Sequence, residues 1–97
     1  MIKSKHKLAW IYYYELMDKI YVGSTVNTVS RQRQHVVKEF GWNRKNECSD
    51  RIKLNCLELV DYKNKLYWEN FYMELFKSWG FELMNKQKIN AIYYGKR

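Results

Sequence analysis

The sequence predicts an α+β fold: a small three-stranded antiparallel sheet flanked by helices, in an α/β sandwich. Two short runs rich in aromatic and β-branched residues, separated by only a few residues, make a hairpin. A third run alternates apolar and polar side chains, and two longer segments with helical spacing each stop at a glycine. The chain has 97 residues and no proline, and no Gly/Ser tract or low-complexity stretch divides it, so it reads as one domain, 1–97. A core of about 8–86 sits between a basic arm, 1–7, and a tail, 87–97, which is the least readable part.

Leu8 to Glu15 and Lys19 to Ser24 are the first two strands. A tight turn at Met17-Asp18 would pair Leu16 with Lys19, Tyr14 with Tyr21 and Tyr12 with Gly23. Directly paired residues share a sheet face. Tyr12, Tyr14, Tyr21 and Gly23 then line one side, while Ile11, Tyr13, Ile20 and Val22 line the other, the expected core face. Asn27 is a good N-cap for a helix to about Phe40, stopped by Gly41. Val29, Val36 and Phe40 form its apolar stripe. Arg31 and His35 are neighbours one turn apart, on the far side of that stripe. Trp42 to Asp50 reads as an exposed polar loop, basic at Arg44 and Lys45. Ile52 to Val60 is the third strand, and its alternation breaks at Leu57, the mark of a bulge or a strand end. Asn64 to Trp79 is the second helix, closed by Gly80.

Eighteen Lys and Arg against ten Asp and Glu give a net charge of +8, and the pI is about 9.5. In so small a protein that excess implies a polyanionic partner. Nine tyrosines and four tryptophans add rings that can stack on bases. No apolar run approaches the ~20 residues of a membrane span, and no long apolar run follows the basic N-terminus as in a secretory signal. A cytoplasmic location is expected, nucleoid-associated or in a host cell if phage-encoded. Cys48 and Cys56 lack the spacing of a zinc site. They are expected as free thiols, with Cys56 packed in the core.

The order of motifs resembles the GIY-YIG nuclease superfamily. Trp10-Ile11-Tyr12 stands where the family has Gly-Ile-Tyr, and Tyr21-Val22-Gly23-Ser24 where it has Tyr-Ile-Gly-Ser. Arg31 and His35 match the arginine and histidine of its first helix. Glu69, in Glu69-Asn70-Phe71-Tyr72-Met73, matches its helical glutamate, and Asn85 its late asparagine. The resemblance runs from about Ala9 to Lys86. Each motif alone is weak; their order and spacing together are specific. Trp10 departs from the family's glycine, which removes any close backbone approach there. Thr28 and Gln32 stand where apolar packing residues are expected.

Phosphodiester hydrolysis needs a deprotonated water, positive charge at the phosphoryl oxygens and help for the leaving 3′ oxygen. A divalent metal can supply much of that charge. Glu69 is the best carboxylate for it: its helical neighbours Leu66, Tyr72, Met73 and Phe76 are apolar, and a carboxylate so placed is costly unless something positive offsets it. Glu74 has polar neighbours and reads as a surface residue. A salt bridge to Arg31 would also explain Glu69. A single carboxylate implies one mostly hydrated ion, Mg²⁺ or Mn²⁺.

Arg31 carries a fork that matches phosphate oxygens, although its helical position alone suits a solvated residue. His35 titrates in a useful range. A free phenol is a poor base at neutral pH; beside Arg31 and a metal its pKa would fall. The resemblance implies that one of Tyr12 and Tyr21 takes the proton from the attacking water. The arrangement adopted is Tyr12 as base, His35 as its relay and Tyr21 positioning water or phosphate. Either tyrosine alone would read as a packing aromatic. Gly23 is expected to let the chain turn closely out of its strand. Asn85 would support the metal or a tyrosine, or cap a loop. Ser24, Arg33, Arg44 and Lys45 are the expected DNA contacts, with Arg33 able to lie along the Val29 stripe.

The implied function is a metal-dependent DNA endonuclease acting on duplex or branched DNA. One active site cuts one strand, so a double-strand break would require a homodimer or a second engagement. The alternatives are a non-catalytic nucleic-acid-binding module with the same fold, and a small basic RNA-binding protein. The last leaves Glu69 unexplained.

Overall fold

A computed structural model describes residues 7–84. Residues 1–6 and 85–97, among them Asn85 and the tail, lie outside the described residues. Four strands and two helices follow in the order β1 (Leu8–Leu16), β2 (Lys19–Thr25), α1 (Thr28–Phe40), β3 (Asn55–Asp61), α2 (Lys65–Ser78) and β4 (Glu82–Leu83). The sheet order is β3-β1-β2-β4.

The β1–β2 hairpin has the expected register, with Tyr14 opposite Tyr21 and Tyr12 opposite Gly23. Met17 and Asp18 both take positive φ, 51° and 66°, as a two-residue turn matched to the strand twist requires. β3 pairs antiparallel with β1, and its register shifts at Leu57, between the Ile11–Glu58 and Tyr12–Cys56 pairs. That is the expected bulge.

The sheet has a fourth strand beyond the three read from the sequence. β4 pairs parallel with Lys19 and Ile20 of β2, and the Met84 amide donates to the Ile20 carbonyl at 2.8 Å. It stops there. Among the described residues no strand covers the outer edge of β2 from Tyr21 to Thr25.

Both sheet faces are buried. Ile11, Ile20, Val22, Val60 and Leu83 pack on Met73 and Phe76 of α2. On the opposite face Tyr12, Tyr14 and Tyr21 pack on Val36 of α1, together with Cys48 and Ile52. The tyrosine face is thus a second core and not a surface. β3 begins later than expected because Ile52 leaves the sheet pattern: its carbonyl, and that of Ser49, accept from the Gln32 side chain at 2.8 and 2.5 Å. Gln32 therefore pins the 42–54 segment onto α1, a role no apolar residue could fill. This segment is not wholly a surface loop, since Cys48 is buried. Cys56 is exposed and Cys48 is the core thiol, the reverse of the expectation for Cys56; both are free. Cys56 lies on the edge strand and lines an open groove beside Thr28 and Val29.

Candidate active site

Thr25 and Asn27 set the angle at which α1 leaves β2. The Asn27 amide donates to Thr25 Oγ1 at 3.0 Å, and Asn27 Oδ1 caps the Ser30 amide at 3.0 Å. The helix that results presents His35 and Val36 to the sheet. Val29 is 62% exposed and His35 only 4%, so the expected orientation is corrected: His35 belongs to the buried side, and Val29 does not. The cause is a partner for the imidazole. The rings of Tyr12, Tyr14 and Tyr21 surround it edge-on at 5.9, 4.8 and 4.9 Å between centroids.

The Tyr12 hydroxyl lies 2.7 Å from His35 Nε2, and that of Tyr14 3.3 Å from Nδ1. Arg31 acts on the same phenol, by its charge and as a hydrogen-bond donor, and favours the ionised form. With protein groups alone beside it, the Tyr12 phenol is shifted up and not down. Burial raises it most, the neighbouring Tyr21 and the Glu69 charge raise it further, and Arg31 opposes them. Tyr12 is therefore a phenol at neutral pH and can act as a base only while passing its own proton on.

Gly23 works differently from the expectation. It sits mid-strand, where the Tyr12 phenol crosses directly over it: a Cβ there would stand 2.6 Å from the Tyr12 oxygen and 2.9 Å from Tyr21 Cε2. Glycine is needed for space, not for a turn.

Glu69 comes from the other face. It is 2% exposed on α2, and Ser24 Oγ donates to its Oε2 at 2.5 Å. Ser24 is itself buried. Its hydroxyl is engaged with the carboxylate. The two approaches come near enough that the Glu69 charge is felt at the Tyr12 phenol. Glu74 is exposed, as read.

The donor set fits a hard divalent cation. Glu69 offers hard oxygen ligands oriented by a hydroxyl. Among the described residues no group of three or more His, Cys, Asp or Glu forms a metal cage. One carboxylate without a cage suits Mg²⁺ or Mn²⁺ that keeps most of its water.

Arg33, Arg44 and Lys45 do not join this cluster. Arg33 lines a groove on the outer side of α1 with Trp42 and Lys45. The Lys45 ammonium lies 4.7 Å from the Trp42 ring centre, and Arg44 pairs with Glu47 at 3.4 Å. An exposed pair of that kind contributes little, which leaves Arg44 able to exchange its partner for a phosphate.

The geometry can be compared with known families. The model of the GIY-YIG catalytic domain matches residues 7–87. The chain belongs to the GIY-YIG nuclease superfamily. No curated protein and no solved structure matches it. In this GIY-YIG domain the signature tyrosines Tyr12 and Tyr21 are neighbours on one sheet face, with ring centroids 6.3 Å apart.

Sequence reasoning passed over two contacts: that of Tyr14 with the second imidazole nitrogen, and that of Ser24 with Glu69. Tyr14 could have been found, since the hairpin register already puts it on the face of Tyr12 and Tyr21. The Ser24–Glu69 bond joins residues distant in sequence and had no local signal.

Proposed function

We propose that this GIY-YIG domain is a metal-dependent DNA endonuclease. One observation carries the reading: the buried Tyr12 hydroxyl lies 2.7 Å from His35 Nε2, where Arg31 and Glu69 both act on it. A phenol that serves only as packing needs no such trio.

In the proposed reaction a water gives its proton to the Tyr12 oxygen as Tyr12 gives its own to His35 Nε2. The hydroxide oxygen bonds to phosphorus. The bond to the 3′ oxygen breaks, and that oxygen leaves with the electron pair and is protonated from solvent. His35 then returns its proton to solvent. Arg31 has donors enough to hold Tyr12 and a phosphoryl oxygen together. Tyr21, next to Tyr12 on the same face, positions water or phosphate. Glu69 would hold one Mg²⁺ or Mn²⁺, which when bound supplies positive charge to the phosphoryl and leaving oxygens.

Substrate affinity would come from Lys and Arg on phosphates, Arg33, Arg44 and Lys45 among them. It would be weakly sequence-selective and steeply salt-dependent. Duplex or branched DNA is the proposed partner, with a homodimer for double-strand cleavage.

A non-catalytic DNA-binding module is the second reading. The full burial of Tyr12, 0% exposed, favours it, because water must reach that oxygen. Under the nuclease reading DNA binding opens the β2 edge, and catalytic contacts commonly tighten only with substrate present. Supercoiled plasmid incubated with protein and Mg²⁺ or Mn²⁺ separates the two. The nuclease nicks it, and both EDTA and Glu69→Ala abolish nicking. Binding without nicking by the wild type would favour the module.

A further inference from the structure

We propose that Tyr14 is a positioning residue that fixes the tautomer of His35, so that Nε2 faces Tyr12 as a proton acceptor. The proposal rests on the nuclease reading for its catalytic consequence, but not for its geometry.

Tyr12 and Tyr14 are two residues apart on β1, on the same face, and both are completely buried. Their hydroxyls meet the two nitrogens of one imidazole, Tyr12 at Nε2 and Tyr14 at Nδ1. A neutral imidazole has one donor and one acceptor nitrogen, and which is which depends on what the partners need. Arginine can only donate, so Arg31 occupies the Tyr12 oxygen as a donor. The Tyr12 proton then needs an acceptor. Among the described residues that acceptor is His35 Nε2 at 2.7 Å. A buried hydroxyl left without an acceptor is costly. Nε2 is therefore bare, Nδ1 carries the hydrogen, and it donates to Tyr14 across 3.3 Å. Without the Tyr14 oxygen, the Nδ1–H form loses that acceptor and the opposite tautomer gains. In that tautomer Nε2 cannot receive the Tyr12 proton, and the relay stops.

Tyr14 stands one step back from Tyr12. Its ring stacks on Tyr21 at 5.2 Å, and it lies on the hairpin side of Tyr12, away from Gly23. The rings of Tyr12 and Tyr21 also border the imidazole. Glu39 raises the Tyr14 phenol electrostatically, and Lys38 lies 5.5 Å from the Tyr21 ring centre.

Nitrogen-15 NMR reads the tautomer with or without cleavage. The chain has two histidines, so assignment needs only His6→Gln. At a pH where His35 is neutral, the wild type is expected in the Nδ1–H form, and Tyr14→Phe shifts it toward Nε2–H with the fold intact. In plasmid nicking Tyr14→Phe lowers kcat about tenfold at unchanged KM, on the scale of lost supporting hydrogen bonds. It causes no further loss in a His35→Gln background. Tyr13→Phe, on the same strand but the opposite face, leaves both readouts unchanged. A wild-type Nε2–H form, or a tautomer indifferent to Tyr14→Phe, overturns the proposal. The expected tautomers in a protein that never nicks DNA would overturn the nuclease reading and leave the positioning contact standing.

Discussion

The Tyr12 phenol lies across Gly23: a methyl group at residue 23 would stand 2.6 Å from the Tyr12 oxygen. The ring cannot swing away, because His35 and Arg31 hold its hydroxyl. Gly23→Ala should therefore displace Tyr12 or spread the hairpin. Overpacking of this kind costs about 1–3 kcal/mol, and a displacement of about 1 Å at a reacting group can cost on the order of 100-fold in rate. We expect a modest fall in Tm with a loss of nicking far larger than the lost stability explains. Thermal melts and single-turnover nicking check this.

Ser24→Ala removes the hydroxyl that holds a buried carboxylate. A buried acceptor deprived of such a donor costs about 1–3 kcal/mol. Outer hydrogen bonds of this kind are also worth about 10–100-fold in metal affinity. The Mg²⁺ concentration that half-saturates nicking should rise by that factor, while DNA binding in EDTA stays unchanged. Weaker binding in EDTA would return Ser24 to the DNA-contacting role.

Gln32→Ala should release the 42–54 segment. Its amide bonds to the Ser49 and Ile52 carbonyls are lost, at about 1 kcal/mol each. Cys48 reports the opening. In the wild type a thiol reagent should modify the exposed Cys56 quickly and the buried Cys48 slowly. In the variant Cys48 should react markedly faster.

At high pH the β3–α2 contact should fail first. Tyr72 donates to Glu58 at 2.6 Å, and that bond, then burial, then the carboxylate charge, push its phenol from 10.0 up to about 12. The folded state thus keeps a proton that the unfolded state gives up. The contribution is complete below pH 10 and is lost as pH rises from about 10 to about 12. Urea unfolding across that window should show stability falling more steeply in the wild type than in Tyr72→Phe.

Local pattern made much of this fold legible. Aromatic alternation placed the hairpin, its turn and the Leu57 bulge, because a period of two and a break in it are properties of neighbouring residues. The orientation of α1 was not legible that way. Counting apolar residues puts Val29 inward, whereas the buried side is built on a histidine whose partners are three phenols from other strands. β4 was missed because two residues carry no periodicity, and its parallel pairing depends on where α2 delivers the chain. Cys56 follows the alternation faithfully and is exposed all the same, because none of the described residues covers it beside the edge strand. Of the candidate site, Tyr12, Tyr21, Arg31 and His35 form one cluster. Glu69 enters from the opposite face by way of Ser24, and Asn85 lies outside the described residues.

The central claim is that the Tyr12 hydroxyl moves a proton in the cleavage step. Tyr12→Phe keeps the ring over Gly23 and removes only the oxygen that His35 and Arg31 hold. Single-turnover nicking of supercoiled plasmid at saturating Mg²⁺, with DNA affinity measured alongside, tests it most directly. The account predicts a rate at least ~100-fold lower, the usual scale of a lost general base, at unchanged affinity. A Tyr12→Phe protein that nicks as fast as the wild type would contradict it.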